Sequence, residues 1–123
     1  MSTGFDVANH EIKFLNIAVT MAGANALVAA AAGKTIRVLA LALVAAVADT
    51  FWFEDDTPST TNKLAFGNGT IVSAIDKTGG AGAPHIILPF SPVGWFKTAA
   101  GKGLNINLVT GSDVSGVLVY IQD

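Results

Sequence analysis

The stretch that decides the fold is RVLALALVAAVADTFWFED, Arg37 to Asp55. Between Arg37 and Asp49 it carries no charge and no hydrogen-bonding side chain. A membrane helix, a core helix or a buried strand could each hold such a run. A spanning helix needs about 20 predominantly apolar residues, and this run is too short. The longer uncharged run Phe14–Gly33 is broken by Asn16, Thr20, Gly23 and Asn25. No membrane segment is therefore expected. Ala and Leu favour a helix, but the spacing does not. Leu39, Leu41 and Leu43 step by two, alternating with Val38, Ala40, Ala42, Val44 and Ala46. On a strand these residues form one large and one small apolar face. Two dry faces mark a strand covered on both sides. The expectation is Leu39, Leu41 and Leu43 in the core, and Ala40, Ala42 and Val44 near a sister subunit. Asp49 and Glu54–Asp56 are expected where the chain returns to water.

The same period extends outward from this run. TFWFE (Thr50–Glu54) sets Phe51 and Phe53 opposite Trp52, and LNINL (Leu104–Leu108) alternates Leu and Ile with Asn. GVLVYIQ (116–122), IKFLNIAV (12–19), NALVAA (25–30), TIVSAI (70–75) and HIILPF (85–90) read as strands, and NKLAF (62–66) as a marginal one. AAGK (31–34), GNG (67–69), TGGAGAP (78–84) and TAAGKG (98–103) supply turn chemistry between them. Roughly eight or nine short strands without a major helix read as an all-β, antiparallel, jelly-roll-like β-sandwich. Residues 1–11 are expected to form an N-terminal arm and 12–123 a single sandwich domain.

Composition narrows the class. With 123 residues there is room for one domain. The absence of cysteine excludes disulfides and thiolate metal sites. A net charge of −2 offers no nucleic-acid surface. MSTGFDVANHEIKF lacks the basic start and apolar run of a secretory signal. Only 13% of residues are charged, where about 25% is usual, and mean hydropathy is +0.55. Part of the surface should therefore be covered. A two-sheet sandwich buries one face of each sheet, so the second dry face of the 38–46 strand needs a cover, and a neighbouring copy is favoured over loops or the N-terminal segment of the same chain.

Chemistry is sparse. His10 and His85 do not form a metal signature. Glu54, Asp55 and Asp56 lack the spacing of a calcium loop and the opposed geometry of a glycosidase pair. GKG (101–103) has Gly103 where a phosphate-binding loop needs Ser or Thr. Asn68-Gly69-Thr70 matches a glycosylation sequon by chance, and Ser91 and Ser115 sit in no nucleophile motif. No enzyme, cofactor or metal is expected. One segment is specified beyond packing. Pro89 and Pro92 cannot both lie inside a central strand, and Trp95 and Phe96 follow Gly94 as either a core plug or an interface anchor.

GKTIRVLALALVAAVADTFWFED (33–55) and ILPFSPVGWFKTAAGKGLNINLVTGSDVSGVLVYIQ (87–122) together resemble small β-sandwich proteins of tailed bacteriophages. The resemblance lies in a Gly-Lys-x-Ile-Arg-Val strand start, a PF-x-P-x-GWF bend, a T-A-x-G-K-x-LN-x-NL strand and a V-x-G-x-L-x-Y strand. It covers about half the chain, and Phe66–Pro84 departs from it as an inserted hairpin and loop. The family is that of capsid decoration, or cement, proteins. The resemblance implies a jelly-roll or TNF-like sandwich that assembles as a homotrimer on the outside of the head. The virion would be assembled in the host cytoplasm, and the partner would be the major capsid protein. Phe5 in the arm, Ala40, Ala42, Val44, Trp95 and Phe96 are the expected interface residues. The alternative is a carbohydrate- or receptor-binding module of a phage tail or fibre, with Trp52, Trp95 and Tyr120 stacking on sugar rings. A hydrolase would require His10 or His85 to meet carboxylates in a cleft.

Overall fold

The computed structural model describes residues 9–46, 49–56, 63–71, 86–111 and 113–123, with the side chains at 49 and 66–71 excepted. Nine strands form two antiparallel sheets, with no α-helix among the described residues. They are β1 (Lys13–Val19), β2 (Gly23–Val28), β3 (Ile36–Ala45), β4 (Asp49–Asp55), β5 (Lys63–Ile71), β6 (Ile86–Leu88), β7 (Phe96–Lys97), β8 (Leu104–Leu108) and β9 (Val114–Gln122). The first sheet runs β1-β9-β3, and β6 and β7 both pair with the far edge of β3. The second runs β2-β8-β4-β5. No helix of the described residues is long and apolar enough to cross a membrane.

The core lies between the sheets. Phe51 and Phe53 from β4 and Leu104, Ile106 and Leu108 from β8 face Val38, Leu41, Leu43, Val114 and Leu118 of the first sheet. Phe51 and Phe53 meet edge to face at 6.2 Å between centroids. Each such side chain contributes about 1.5–3 kcal/mol on burial.

The expected even alternation along β3 is corrected by a bulge. Val38 pairs with Tyr120 and Ala40 with Val119, which leaves Leu39 as an extra residue. An unpaired residue reverses the alternation on either side of it. Ile36 and Val38 therefore point inward before the bulge, and Leu41, Leu43 and Ala45 point inward after it. Leu39 is fully buried but falls outside the cluster of core side chains. Val38, expected on the small outer face, belongs to the core.

A second correction concerns Gly67-Asn68-Gly69, expected as a turn. These residues lie inside β5. Phe51 pairs with Gly69 and Phe53 with Ala65, so β5 spends extra residues over one step of β4. Glycine-rich backbone accommodates such a bulge. The marginal NKLAF strand is thus the start of a nine-residue strand. Of TIVSAI only Thr70 and Ile71 are placed, in β5. Residues 72–75, and with them 76–84 of the expected insertion, lie outside the described residues.

Gly116 fixes how closely the central strands meet. It pairs with Ile17 on one side and Leu43 on the other. A Cβ at this position would collide with the carbonyl oxygen of Ala42. Backbone on both sides leaves no flexible neighbour to yield. Gly116→Val is expected to cost about 3 kcal/mol through overpacking. The exposed neighbour Ser115→Ala should be nearly neutral. Urea unfolding of the two variants checks this contrast.

Candidate assembly surface

The outer face of the first sheet can be built row by row from its register. Val44 pairs with Ser115, which pairs with Ala18. Ala42 pairs with Val117 and with Ile87, and Val117 pairs with Asn16. Ala40 pairs with Val119, which pairs with Phe14. Side chains in these rows share one face because alternate residues point the same way. None of them is charged. The relief is uneven. Ala40 and Ala42 form a low, half-buried floor. Phe14 stands 72% exposed on the β1 margin, and Ile87 is 59% exposed on the opposite margin. Val117 between them is 37% exposed.

The β3 bulge creates the rest of this margin. Between β6 and β7 the chain leaves the ladder at Pro89 and returns at Trp95. The Ser91 N–H donates to Leu39 O at 2.9 Å, and the Trp95 N–H to Val38 O at 2.8 Å. The Gly94 N–H closes the turn on Ser91 O at 3.1 Å. The indole N–H of Trp95 donates to Pro89 O at 2.7 Å. These four hydrogen bonds hold Phe90, Val93 and Trp95 toward solvent as exposed apolar groups, Trp95 at 47%. Gly94 has φ +85, and a Cβ there would lie 2.6 Å from Arg37 Cγ. Glycine is required because the arginine side chain passes against the backbone.

Arg37 ties this ridge to the end of β9. Its Nη1 donates to Val93 O at 3.0 Å, and its Nη2 pairs with Asp123 Oδ2 at 3.0 Å. Thr35 Oγ1 donates to the other Asp123 oxygen at 2.6 Å. Burial pushes the Asp123 carboxyl upward. Hydrogen bonds from Thr35 and Arg37, with the charges of Arg37 and His10, outweigh it and hold the carboxyl below its usual range. Arg37 and Lys97 are in register at this end, so charge is gathered beyond the apolar rows.

The outer face of the second sheet is different. Asn107 Nδ2 donates to Glu54 Oε1 at 2.7 Å, and Lys63 Nζ lies 4.3 Å above the Trp52 ring. The expectation that Glu54–Asp56 forms a solvated turn is corrected here. Glu54 is 7% exposed and Asp55 3%, and only Asp56 faces water. β4 continues through both residues, pairing Glu54 with Asn105 and Lys63, and Asp55 with Leu104. Alternation sends Glu54 and Asp55 to opposite faces, so the three carboxylates do not converge. Among the described residues no group of three or more acidic or histidine side chains could hold a metal ion.

The expected site residues separate. Ala40, Ala42 and Val44 share the outer face of the first sheet, and Trp95 stands on its margin. Phe96 does not reach that face. It is in register with Val38 and packs on Phe53 at 5.2 Å, as a plug of the core. Phe5 and His85 lie outside the described residues. His10 lies near Asp123, whose oxygens are engaged by Thr35 and Arg37. The three candidate sugar-stacking rings do not form one platform. Trp52 is on the second sheet under Lys63, Trp95 is on the first, and Tyr120 packs on the core. Phe14, Ile87, Val117 and Val119 were not among the expected interface residues. The signal for the last two was present, since β9 is apolar at successive positions from Val117 to Ile121, just as β3 is.

No family model and no curated protein matches the chain. Among solved structures it is similar to a chain of the "Cyanophage Pam1 capsid asymmetric unit", with 15% identity and a TM-score of 0.48. The match covers 99% of this chain and 88% of that one. At such identity no residue role passes from that protein to this one.

The Asp123 clasp sets an acid limit. Its carboxyl titrates below the ordinary value of 3.8. The stabilisation is complete above the unfolded value and is lost as pH falls through the folded one. Asp123→Asn should melt a few degrees below the parent at neutral pH, roughly what 1 kcal/mol produces in a domain of this size. That gap should close as the pH is lowered from about 4. Thermal melts across this range measure it.

Proposed function

We propose that the chain is a structural virion protein, a capsid decoration (cement) protein that stabilises the outside of a phage head as a homotrimer. The observation that carries this reading is the three uncharged rows on the outer face of the first sheet. Both faces of β3 and β9 are apolar; the sandwich buries the inner one and the chain also covers Leu39 and Ile121, but the outer rows through Ala40, Ala42, Val44, Val117 and Val119 stay partly open. The second sheet, by contrast, lines its outer face with Asn107, Glu54 and Lys63. A solvated sandwich has no use for such an asymmetry, because exposed apolar area favours association. The resemblance of the 33–55 and 87–122 segments to decoration proteins supports the choice of class.

The function so proposed is mechanical and needs no reaction or cofactor. Packed DNA pushes a head outward, and a trimer bound across several shell subunits resists their separation. Each contact is modest, but linked contacts act at a high effective concentration, so their strengths combine. The major capsid protein is the partner, and Phe5 with its neighbours in the N-terminal arm is assigned to that contact. Ordering a terminal segment on a partner is a common route to such a contact.

Two measurements test the reading. Native mass spectrometry of the purified protein should give three chains. Incubation with empty phage heads should deplete the protein from solution and raise the temperature at which the heads disrupt. A stable monomer that leaves the heads unbound and unprotected would remove the proposal.

A further inference from the structure

We infer that Phe14 of one copy seats on the Ala40–Ala42 floor of another, so that the β1 margin and the centre of one sheet face form the contact between copies. This rests on the proposed self-assembly and names the side chains that make it. Phe14 is the most exposed of the large apolar side chains described, at 72%. Asn25, Trp95 and Arg37 all bond nearby backbone, whereas a phenyl ring gains nothing from water. The floor offers the complementary shape. Ala40 and Ala42 are the smallest residues in the middle rows, and they lie between Val117 and Val119 on one side and Ile87 on the other. A bulky side chain above two alanines is the pairing that fills a dry contact without moving backbone.

Charge and area both favour a second copy as the occupant. No charged side chain occurs in the three register rows, so the same surface on another copy brings no charge that the contact would leave unpaired. A partner of either net charge would find nothing here to answer it. Four strands at about 4.8 Å and three rows at about 6.8 Å outline roughly 400 Å². Side-chain relief and the Phe90–Trp95 ridge extend this toward the ~800 Å² per partner of a stable interface.

The chain has no cysteine, which makes a crosslinking test clean. Phe14 and Ala40 flank Val119 from opposite sides. They are therefore two strand spacings apart, about 10 Å, and a disulfide within one chain is out of reach. The variant carrying both Phe14→Cys and Ala40→Cys is oxidised as the full-length protein and run on a non-reducing gel. Covalent multimers are expected from the double variant, with neither single variant linking efficiently. The size at which the ladder stops reports ring closure separately, and three chains agree with the proposed trimer. A two-chain limit would support the contact while overturning the trimer. In parallel, Phe14→Ser should weaken self-association about 30-fold, as the loss of a central anchor does, while leaving the β-sheet circular dichroism unchanged.

The outcomes separate the two readings. A native trimer that binds heads but gives no link from the double variant overturns this contact and leaves the proposed function standing. Efficient linking by Phe14→Cys alone also overturns it, since Phe14 would then meet Phe14. A monomer that remains unlinked and still binds heads overturns this contact and the trimer, and leaves only the binding to heads standing. A monomer that ignores heads overturns both readings.

Discussion

The antiparallel pairing of β3 with β9 is the constraint on which the rest depends. It runs from Ile36 against Gln122 to Ala45 against Val114, with one residue too many on the β3 side. Gly116 lets the two strands approach, because any side chain there would strike the Ala42 carbonyl. The extra residue, Leu39, then reverses the alternation partway along. Without it, Ile36 and Val38 would face out when Leu41 and Leu43 face in. With it, both ends of β3 feed the same core. The bulge also frees the Val38 and Leu39 carbonyls on the far edge, where Trp95 and Ser91 take them. Core, ridge and the Arg37–Asp123 clasp thus share one local irregularity.

Two sheets of one sandwich have been given opposite outer surfaces. On the second, Glu54 is buried beside Asn107, and Lys63 lies against the Trp52 ring, so polar groups are matched to one another. On the first, alanine, valine, serine and asparagine fill the rows between β1 and β3, with Phe14 and Ile87 at the margins. Polar atoms on the second face are satisfied within the monomer. Apolar atoms on the first gain only when something excludes water from them. Low total charge is therefore not spread evenly. It is concentrated as an absence on one side, where assembly would use it.

Much of the fold was legible because strand period is a local property. Leu41 and Leu43, Phe51 and Phe53, and the Leu-Asn-Ile-Asn-Leu run declare their faces within five or six residues, and the structure keeps those assignments. Part of the candidate surface was legible for the same reason, since Ala40, Ala42 and Val44 alternate with the leucines. What failed depended on partners far away in sequence. Glu54 and Asp55 look like the end of a strand, but register with Asn105 and Leu104 carries β4 through them. Phe96 reads equally well as anchor or plug until Phe53 is placed beside it. Phe14 looks unremarkable in a mixed strand, and only the β1–β9 pairing puts it in the same row as the alanine floor, across Val119.

By itself, the sequence determined that this chain is a two-layer β protein with more apolar surface than one core can absorb. Period-two spacing and the scarcity of charge are enough for that, because both are summed along the chain without knowing its path. Only the tertiary structure decided which sheet carries the surplus, which margins border it, and that Val38 packs in the inter-sheet cluster while the buried Leu39 sits at the bulge beside it. Those facts follow from register. A single unpaired residue, invisible to local periodicity, inverts every side chain beyond it.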